Sequence, residues 1–360
     1  MAGEMKAEIS PEFVGALGDK IKFVMPEFDI EAFSEIVLLN DWEDVELKAR
    51  IQRVAEGLGQ SLSQDFPVSV EILKKVAPEY GGLQSLVFPE FIEKYGLKEW
   101  DVSMDALAFF TCFGSSEFAV RPFIRLDEER MMRQMLNWAE SGDMHVRRLA
   151  SEGCRPKLPW ASPLRRFIAD PKPVLPILER LKNDPEEYVR RSVANNLNDI
   201  SKDHESLTLD IGARWLGLSK GSDRVVKHGL RTLLKRGDER ALQLFGYGDP
   251  ELADIVEIIA PASVAIGGRT NFGCVIEVGG VDMMNVRLEY AVDFLKANGA
   301  YSQKVFQWRE ATLEPGLHKF KKRHSFRQMT TRKHYAGEHV FNVVVNGRVL
   351  KSQAFQLLEE

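Results

Sequence analysis

Residues 145–153 read HVRRLASEG, and the pattern returns as YVRRSVANNLNDI at residues 188–200 and as RVVKHGLRTLLKRG at residues 224–237. The valines that align these copies are Val146, Val189 and Val226, at steps of 43 and 37 residues. This spacing is typical of HEAT repeats, in which helix pairs stack because one pair cannot bury its own apolar face. The chain is therefore predicted to contain a helical solenoid.

Each copy of the repeat carries a basic pair directly after its valine. An acidic turn precedes the first two copies, in SGDMHVRR and NDPEEYVRR, and Asp223 takes that place in the third. Stacked repeats would set the pairs in a row along the concave side, and such a row suits a phosphate backbone. The alternative is that these residues form surface ion pairs with the acidic turns. The pairs are Arg147/Arg148, Arg190/Arg191 and Lys227/His228.

The sequence on either side of the repeats predicts two domains. Apolar residues at helical spacing extend back to segments such as EAFSEIVLL and VELKARIQRVAEGLG. Beyond Asp249-Pro250 the pattern alternates as in strands, and about seven short strands in roughly 110 residues are typical of a β-sandwich. We therefore predict an N-terminal α-helical HEAT-like repeat solenoid over residues 1–250 and a C-terminal Ig-like β-sandwich over residues 254–360.

A basic run interrupts the strand pattern. HKFKKRHSFRQMTTRKH, residues 318–334, contains seven Lys and Arg residues and no acid, with His and Phe interleaved. Such a segment can follow a phosphate backbone or enter a minor groove, so we predict that it contacts DNA. The alternative is a solvated hairpin. The cations assigned to this contact are Lys319, Lys321, Lys322, Arg323 and Arg327, with Arg332 and Lys333 completing the run.

Composition narrows the class of protein. The net charge is −5, but residues 1–100 carry 10 basic and 19 acidic residues, a balance of −9, so the remainder carries −5 − (−9) = +4. Its three cysteines form no CxxC pair and no zinc site of the usual spacing. The start, MAGEMKAEIS, has no apolar segment of a secretory signal, and no run of eighteen apolar residues occurs. We expect a cytoplasmic, monomeric protein without a metal.

Familiar catalytic motifs are missing, since the sequence has no Walker loop, no GxGxxG after a strand, no GxSxG and no HExxH. The remaining candidates are acids set among basic residues: Glu117 in FGSSEFAVRPFI, just inside a predicted helix start, Glu152 in RRLASEGCRPKLPWASPLRRF, and Asp199 in NNLNDISKDH. Glu152 and Asp199 are placed alike, because each follows the basic pair of its repeat, on or just after the helix that the pair begins. Glu117 comes from the preceding unit. We expect the three carboxylates to meet in one groove; the alternative is that each is a helix cap or a surface acid.

The loop after Glu152 carries Trp160 between prolines. Four basic residues flank it: Arg155, Lys157, Arg165 and Arg166. An exposed Trp in such a loop is costly for a mere linker, which favours a functional role.

The stretches SSEFAVRPFI, VRRLASEGCRPKLPWA and VRRSVANNLNDISKDH resemble the AlkC branch of the HEAT-like alkylpurine DNA glycosylases, over essentially the whole chain. The resemblance implies excision of cationic bases, chiefly 3-methyladenine and 3-methylcytosine, from double-stranded DNA without base flipping, metal or cofactor. It implies catalytic carboxylates at Glu117 and Glu152 and active-site roles for Trp160 and Asp199. DNA contacts are predicted, on the resemblance or on the basic pattern, for Arg148, Arg155, Lys157, Arg190, Arg191 and Lys227.

The implied chemistry needs these residue types. A base alkylated at a ring nitrogen is already cationic and leaves without a general acid, unlike an ordinary glycoside. One carboxylate can stabilise the oxocarbenium-like transition state and another can hold and deprotonate water. Glu117 and Glu152 suit these two tasks in either order, Trp160 can offer its π face to the cation, and Asp199 can orient the water or support the geometry. Two other hypotheses are a non-catalytic HEAT scaffold that binds DNA or protein and a damage sensor without activity.

Overall fold

The computed structural model describes residues 2–62, 65–280, 282–328 and 333–359, with helices first and strands after them. The helices are α1 Ala2–Ala7, α2 Pro11–Val24, α3 Ile30–Val37, α4 Leu47–Ser61, α5 Phe66–Val76, α6 Val87–Tyr95, α7 Trp100–Phe110, α8 Val120–Leu126, α9 Glu128–Trp138, α10 Met144–Gly153, α11 Arg165–Ala169, α12 Leu175–Leu181, α13 Glu187–Ile200, α14 Glu205–Trp215, α15 Lys220–Gly229, α16 Arg231–Arg236 and α17 Glu239–Leu244. The strands are β1 Ala253–Ile259, β2 Ser263–Ala265, β3 Arg269–Val278, β4 Met284–Leu295, β5 Tyr301–Leu313, β6 Gly316–Ser325, β7 Gly337–Val345 and β8 Arg348–Leu358.

Contacts group the chain into two compact units. The first runs up to His204 and includes Trp215–Gly229, and the second combines Glu205–Arg214 with the chain from Leu230 onward. The second unit therefore contains the strands together with α16, α17 and all of α14 except its last residue. The predicted boundary between residues 250 and 254 stays a prediction. No helix in the described ranges is long and apolar enough to cross a membrane.

Helix starts follow the capping chemistry of short polar side chains. Asp143 accepts hydrogen bonds from the backbone N–H groups of His145 and Val146, at 2.7 and 3.3 Å, and so begins α10. Such caps matter because the first N–H groups of a helix have no partner within it. Equivalent side-chain caps are Ser10 for α2, Asp29 for α3, Asp65 for α5, Asp127 for α9 and Asp238 for α17.

The predicted repeat forms the stack α10, α13 and α15. Helix α13 packs against both α10 and α15, and the aligned valines Val146, Val189 and Val226 are all buried. The prediction was wrong for the third acidic turn. Asp223 lies inside α15, where its carboxylate accepts the N–H of Gly217 at 2.6 Å, because this helix begins at Lys220.

The first members of two basic pairs bind the turns between repeats. Arg147 makes a bidentate ion pair with Asp184, at 2.7 and 3.1 Å, and Arg190 donates to the carbonyls of Asp184 and Pro185. At these two positions the structure favours the alternative of contacts with the turns, because the donors of both arginines already satisfy turn oxygens. A DNA contact by Arg190 stays a prediction.

The strands form the predicted β-sandwich. One sheet has the order β1-β3-β6 and the other β2-β8-β7-β4-β5; among the described strands, β2 and β8 pair in parallel and the other pairs are antiparallel. Apolar side chains from the two sheets form the core, and the rings of Phe272 and Phe341 stack in it with centroids 4.1 Å apart. This confirms the predicted fold class, helical repeats followed by a sandwich.

The first part of the basic run forms an additional strand, β6, where alternation divides its cations between two faces. Lys319, Lys321 and Arg323 are exposed on the outer face, whereas Lys322 is half-buried and pairs in register with buried Phe272. Arg327 is exposed just beyond the strand. Arg332 lies outside the described residues. Within β6, the continuous basic sequence therefore places three cations, Lys319, Lys321 and Arg323, in a row on the outer face.

A close backbone approach joins the end of α16 to the turn between β7 and β8. Gly237 ends α16 with φ 75°, and a Cβ placed there would lie 2.7 Å from the carbonyl oxygen of Gly347. Gly299 has a similar φ of 77° but open space around the Cβ position. A side chain at Gly237 would therefore meet both an unfavourable φ and a steric clash, whereas a side chain at Gly299 would meet only the unfavourable φ.

We expect Gly237→Ala to destabilise the protein by clearly more than Gly299→Ala. Both substitutions force alanine into a left-handed conformation, at about 1–2 kcal/mol, and the first adds a clash worth roughly 1–3 kcal/mol. Urea unfolding of both variants measures the difference. Equal midpoints would show that the turn moves away from α16 without cost.

Candidate active site

Glu117 lies in the turn that leads into α8. The predicted helix start is wrong by three residues, because α8 begins at Val120. The Ser115 hydroxyl donates to Glu117 Oε2 at 2.8 Å and accepts the Glu117 N–H at 3.3 Å, which fixes the turn. Arg148 from α10 approaches the same carboxylate, with Nη1 2.7 Å from Oε2. The Glu117 side chain keeps 14% of its surface exposed.

Glu152 lies in the last turn of α10, one helical turn after Arg148. Its side chain is only 6% exposed. Arg155 Nη1 lies 2.6 Å from Oε1, and Arg148 Nη2 lies 3.6 Å from the same oxygen. Arg148 therefore stands between Glu117 and Glu152 and forms an ion pair with both.

Asp199 extends this cluster from the last turn of α13. Its carboxylate is 2% exposed; Oδ2 accepts from Arg155 Nε at 2.9 Å and Oδ1 from Lys202 Nζ at 3.0 Å. Three carboxylates from three elements thus alternate with three cations. The structure brings all three predicted acids together. Their burial would be costly for a lone charge, and it is tolerated because each acid is paired with a cation. The order of the chain of ion pairs is Glu117, Arg148, Glu152, Arg155, Asp199 and Lys202.

The cluster keeps its arginines cationic. Burial alone would lower the pKa of Arg148, but the nearby Glu117 and Glu152 outweigh it and raise that pKa. Burial alone would also lower the pKa of Arg155. The nearby Glu152 and Asp199 outweigh it and raise that pKa. Both guanidiniums therefore hold their charge throughout the working pH range, and the resting cluster is close to neutral overall.

Trp160 stands at the surface of the loop between α10 and α11. Its side chain is 64% exposed, and its φ of 63° is unusual for a residue other than glycine. Lys48 donates to its carbonyl oxygen at 3.4 Å. The indole borders a mainly apolar cavity of about 310 Å³ that also reaches Ser115 and Phe118. The exposed Trp and the carboxylates thus belong to one region of the first unit.

Two further residues of this region were not singled out from the sequence. Arg121 is buried in α8 and donates to three carbonyl oxygens, those of Gly153, Arg155 and Ser162; burial lowers its pKa to about 10. Tyr188 starts α13 beside the acids, with Arg148 over its ring at 5.2 Å. Tyr188 was visible as the first letter of the YVRR copy, whereas nothing in the sequence separates Arg121 from an exposed helix cation.

The predicted DNA-contact residues of this unit occupy varied surroundings. Lys157 pairs with Asp203 at 2.6 Å, and Arg191 pairs with Glu187 at 3.0 Å while staying largely exposed. Lys227 is half-buried. Arg148 and Arg155 belong to the carboxylate cluster described above. Their contacts with DNA remain predictions.

No group of three or more His, Cys, Asp or Glu side chains that could hold a metal ion occurs in the part of the chain that the structure describes. The thiols of Cys154 and Cys274 are buried, and burial raises the pKa of each to about 12. What the cluster offers is therefore a set of fixed carboxylates, each paired with a cation, beside an exposed aromatic ring.

The helical repeats that hold the carboxylate cluster and the Ig-like sandwich that follows them match two known protein families, and the first of these is a class of DNA-alkylation repair proteins. The family described as "DNA alkylation repair enzyme" matches residues 102–210, and the one described as "Uncharacterised protein YhaZ, C-terminal Ig-like domain" matches residues 256–359. Uncharacterized protein YhaZ of Bacillus subtilis (strain 168) is 41% identical over 98% of this chain and 99% of its own.

A solved structure narrows the class to one family. Pseudomonas fluorescens alkylpurine DNA glycosylase AlkC, bound to DNA containing an abasic site analog, matches with 36% identity and a TM-score of 0.95, over 98% of this chain and 99% of that one. The chain belongs to the AlkC family of alkylpurine DNA glycosylases. The resemblance inferred from the sequence is thereby confirmed.

Proposed function

We propose that this protein hydrolyses the N-glycosidic bond of cationic alkylated bases, 3-methyladenine and 3-methylcytosine, in double-stranded DNA. The observation that carries the proposal is the convergence of Glu117, Glu152 and Asp199 in one buried cluster beside exposed Trp160. The DNA partner is supported by the AlkC structure bound to DNA containing an abasic site analog.

The carboxylates match the charge that develops in this reaction. As the bond from C1′ to the base nitrogen breaks, its electron pair neutralises the departing cationic base and positive charge forms on the sugar. A fixed carboxylate in a water-poor site stabilises that charge strongly. Glu152, the more buried of the two glutamates, is held by two arginines, and Glu117 keeps one partly exposed face for a water molecule. Water attack on C1′ with loss of one proton to a carboxylate completes the hydrolysis.

Arg148 links DNA binding to this chemistry. In the resting protein its guanidinium neutralises both Glu117 and Glu152. A phosphate group in contact with Arg148 would compete for the same donors and restore negative charge to the carboxylates. This is consistent with the predicted backbone contact of Arg148, and it couples electrostatic stabilisation to the presence of DNA.

The remaining residues support the reacting groups. Asp199 is almost wholly buried and engaged by Arg155 and Lys202, which suits it to hold Arg155 against Glu152 rather than to bind water directly. Trp160 offers an exposed π face to a cationic sugar or base, worth on the order of 0.5–2 kcal/mol. Lysine amines near the cluster, Lys157 and Lys202, pair with carboxylates, which favours water over a lysine as nucleophile and hence a monofunctional glycosylase.

We further propose that the lesion stays in the duplex. A flipped base needs a snug pocket with aromatic faces on which it stacks. The cavity beside Trp160 is lined mainly by aliphatic side chains, with Phe118 as the other aromatic residue in its lining. This lining favours approach to the deoxyribose over capture of the base.

The decisive experiment is base release. The protein is incubated with methylated DNA and the freed bases are separated by chromatography, with unmethylated DNA as the control. We expect free 3-methyladenine and 3-methylcytosine and no normal bases. Binding to the DNA without any released base would favour the non-catalytic scaffold instead.

We expect excision to proceed at an unchanged rate in EDTA. The proposed mechanism uses carboxylates alone, and metal catalysis would require ligands arranged with an open position. Single-turnover excision is measured in two arms that both contain Mg²⁺. One arm also contains EDTA in about 10-fold excess over Mg²⁺, and the ionic strength is kept roughly equal in both. A rate that falls in EDTA and returns with Zn²⁺ or Mg²⁺ would contradict the mechanism.

A further inference from the structure

A buried arginine, Arg121, connects three parts of the candidate site. Its Nη1 donates to the carbonyl oxygens of Gly153 and Arg155, at 3.0 and 2.9 Å. Its Nη2 donates to the carbonyl of Ser162 at 2.8 Å. All three acceptors are neutral backbone oxygens, so the buried charge has no carboxylate among its hydrogen-bond partners. Such a placement is costly for stability, which suggests that it is retained for another reason.

The three bonds span both ends of the loop that carries Trp160. Gly153 ends α10 directly after Glu152, and Ser162 follows Trp160 by two residues. Terminal helix carbonyls lack partners within the helix, and a basic side chain can satisfy them. Arg121 therefore fixes the end of the helix that presents Glu152 and the far end of the Trp160 loop at once.

Two other observations show that this loop is tightly constrained. Trp160 has a φ of 63°, a conformation that a non-glycine residue keeps only when its surroundings impose it. A Cβ on Gly153 would lie 2.5 Å from Val120 Cγ2, so α10 ends in direct contact with the start of α8. The second constraint lies at α8, the helix that carries Arg121.

We infer that Arg121 is a positioning residue, which sets Trp160 and Glu152 relative to Glu117 by binding the backbone of their loop. This inference rests on the proposed function. Arg121 lies four residues after Glu117, so one short segment provides a carboxylate and also anchors the elements that carry the other two groups. Arg121 touches no substrate in this role; it acts through the loop.

The test compares Arg121→Met with Arg125→Met. Arg125 is exposed and donates to the same Ser162 carbonyl at 3.2 Å, so it controls for loss of a cation and of one bond to the loop. We expect Arg121→Met to melt cooperatively and bind duplex DNA as the wild type does, yet to excise about tenfold to a hundredfold more slowly in single turnovers. Trypsin should also cut after Lys157 faster than in the wild type. Arg125→Met should change neither rate by more than about twofold.

A double-mutant cycle separates positioning from general stability. If Arg121 acts through Trp160, Arg121→Met should cost much less in a Trp160→Ala background than in the wild type, since residues that act as a unit are non-additive. Additive losses, or a folded Arg121→Met protein with wild-type excision, would overturn the inference. Should Arg121→Met fail to fold, Arg121→Lys is measured instead, with the same two outcomes, because it keeps the charge but cannot reach three carbonyls.

The protease readout keeps the two proposals distinguishable. Loop cleavage after Lys157 needs no substrate, so it reports on the anchoring role even if the wild type releases no base. A wild type that excises bases while Arg121→Met shows neither faster cleavage nor slower excision rejects the positioning role alone.

Discussion

Glu152→Gln and Glu117→Gln should each lose excision by about a hundredfold or more while still binding DNA. Amide replacement keeps the shape of the side chain and removes the charge that the transition state needs. Loss of one preorganised electrostatic group typically costs roughly 2.7–4 kcal/mol of transition-state stabilisation. The measurement is the single-turnover rate on a methylated duplex with protein in excess, together with the dissociation constant for the same duplex.

The two variants should differ in stability. Glu152 is 6% exposed and contacts two arginines, so its loss leaves buried positive charge less well compensated. Glu117 is more exposed and retains the Ser115 hydroxyl as a partner after amide replacement. We therefore expect a lower melting temperature for Glu152→Gln than for Glu117→Gln, with both above the assay temperature.

Glu129→Gln provides the matched control. Glu129 is largely exposed on α9 and pairs with Arg133 four residues on, so its loss removes one acid and one ion pair away from the cluster. It should retain wild-type excision. If both cluster variants matched this control in single turnovers, Glu117 and Glu152 would not be the catalytic carboxylates.

Reversing the outer row of β6 should weaken DNA binding and flatten its salt dependence. We propose that Lys319, Lys321 and Arg323 contact phosphates, because they are exposed on one face of the strand. Each phosphate contact contributes about 0.9 to the slope of log K against log salt, so the Glu triple variant should lose roughly 2.7. Binding isotherms at several salt concentrations measure this slope.

Excision at saturating protein should survive in the triple variant, since Glu117, Glu152 and Asp199 lie in the other compact unit. Lys322→Gln is the control: it changes a neighbouring cation that faces the opposite side of β6. An unchanged slope in the triple variant would mean that this face is merely solvated. A slope reduced equally by Lys322→Gln would show that net charge matters and the outer row does not.

The repeat and most strands followed from the sequence because their signals are local. Buried valines at near-regular steps predicted the stacked helices, and alternation predicted seven strands. The sequence did not predict β6, because its inner face lacks a regular row of apolar residues. That face carries Phe320, two histidines and Lys322. Asp223 was misplaced because an acid three residues into a helix reads like one just before it.

The sequence predicted that the three acids meet in one place, but it did not predict the cations that lie between them. The order of residues within the repeats pointed to Glu152 and Asp199, since each follows the basic pair of its repeat, six residues after Val146 and ten residues after Val189. Arg148 and Arg155 were assigned to DNA by sequence, which stays a prediction, and nothing in the sequence indicated that their guanidiniums lie between carboxylates. Long side chains reach partners distant in sequence, so the target of an arginine depends on tertiary packing. Arg121 shows this most clearly, with acceptors 32 to 41 residues away.

Strand β6 lies at the edge of its sheet, and an edge strand presents unpaired backbone groups to which another chain could add. A second copy of β6 brought alongside would set Lys319, Lys321 and Arg323 against their own counterparts, and like charges across strands repel. The same cations thus protect the protein from edge-to-edge aggregation. Charge reversal preserves this repulsion, whereas neutral substitutions at all three positions would remove it, so stocks of a Gln triple variant should self-associate at concentrations where the Glu variant stays monodisperse.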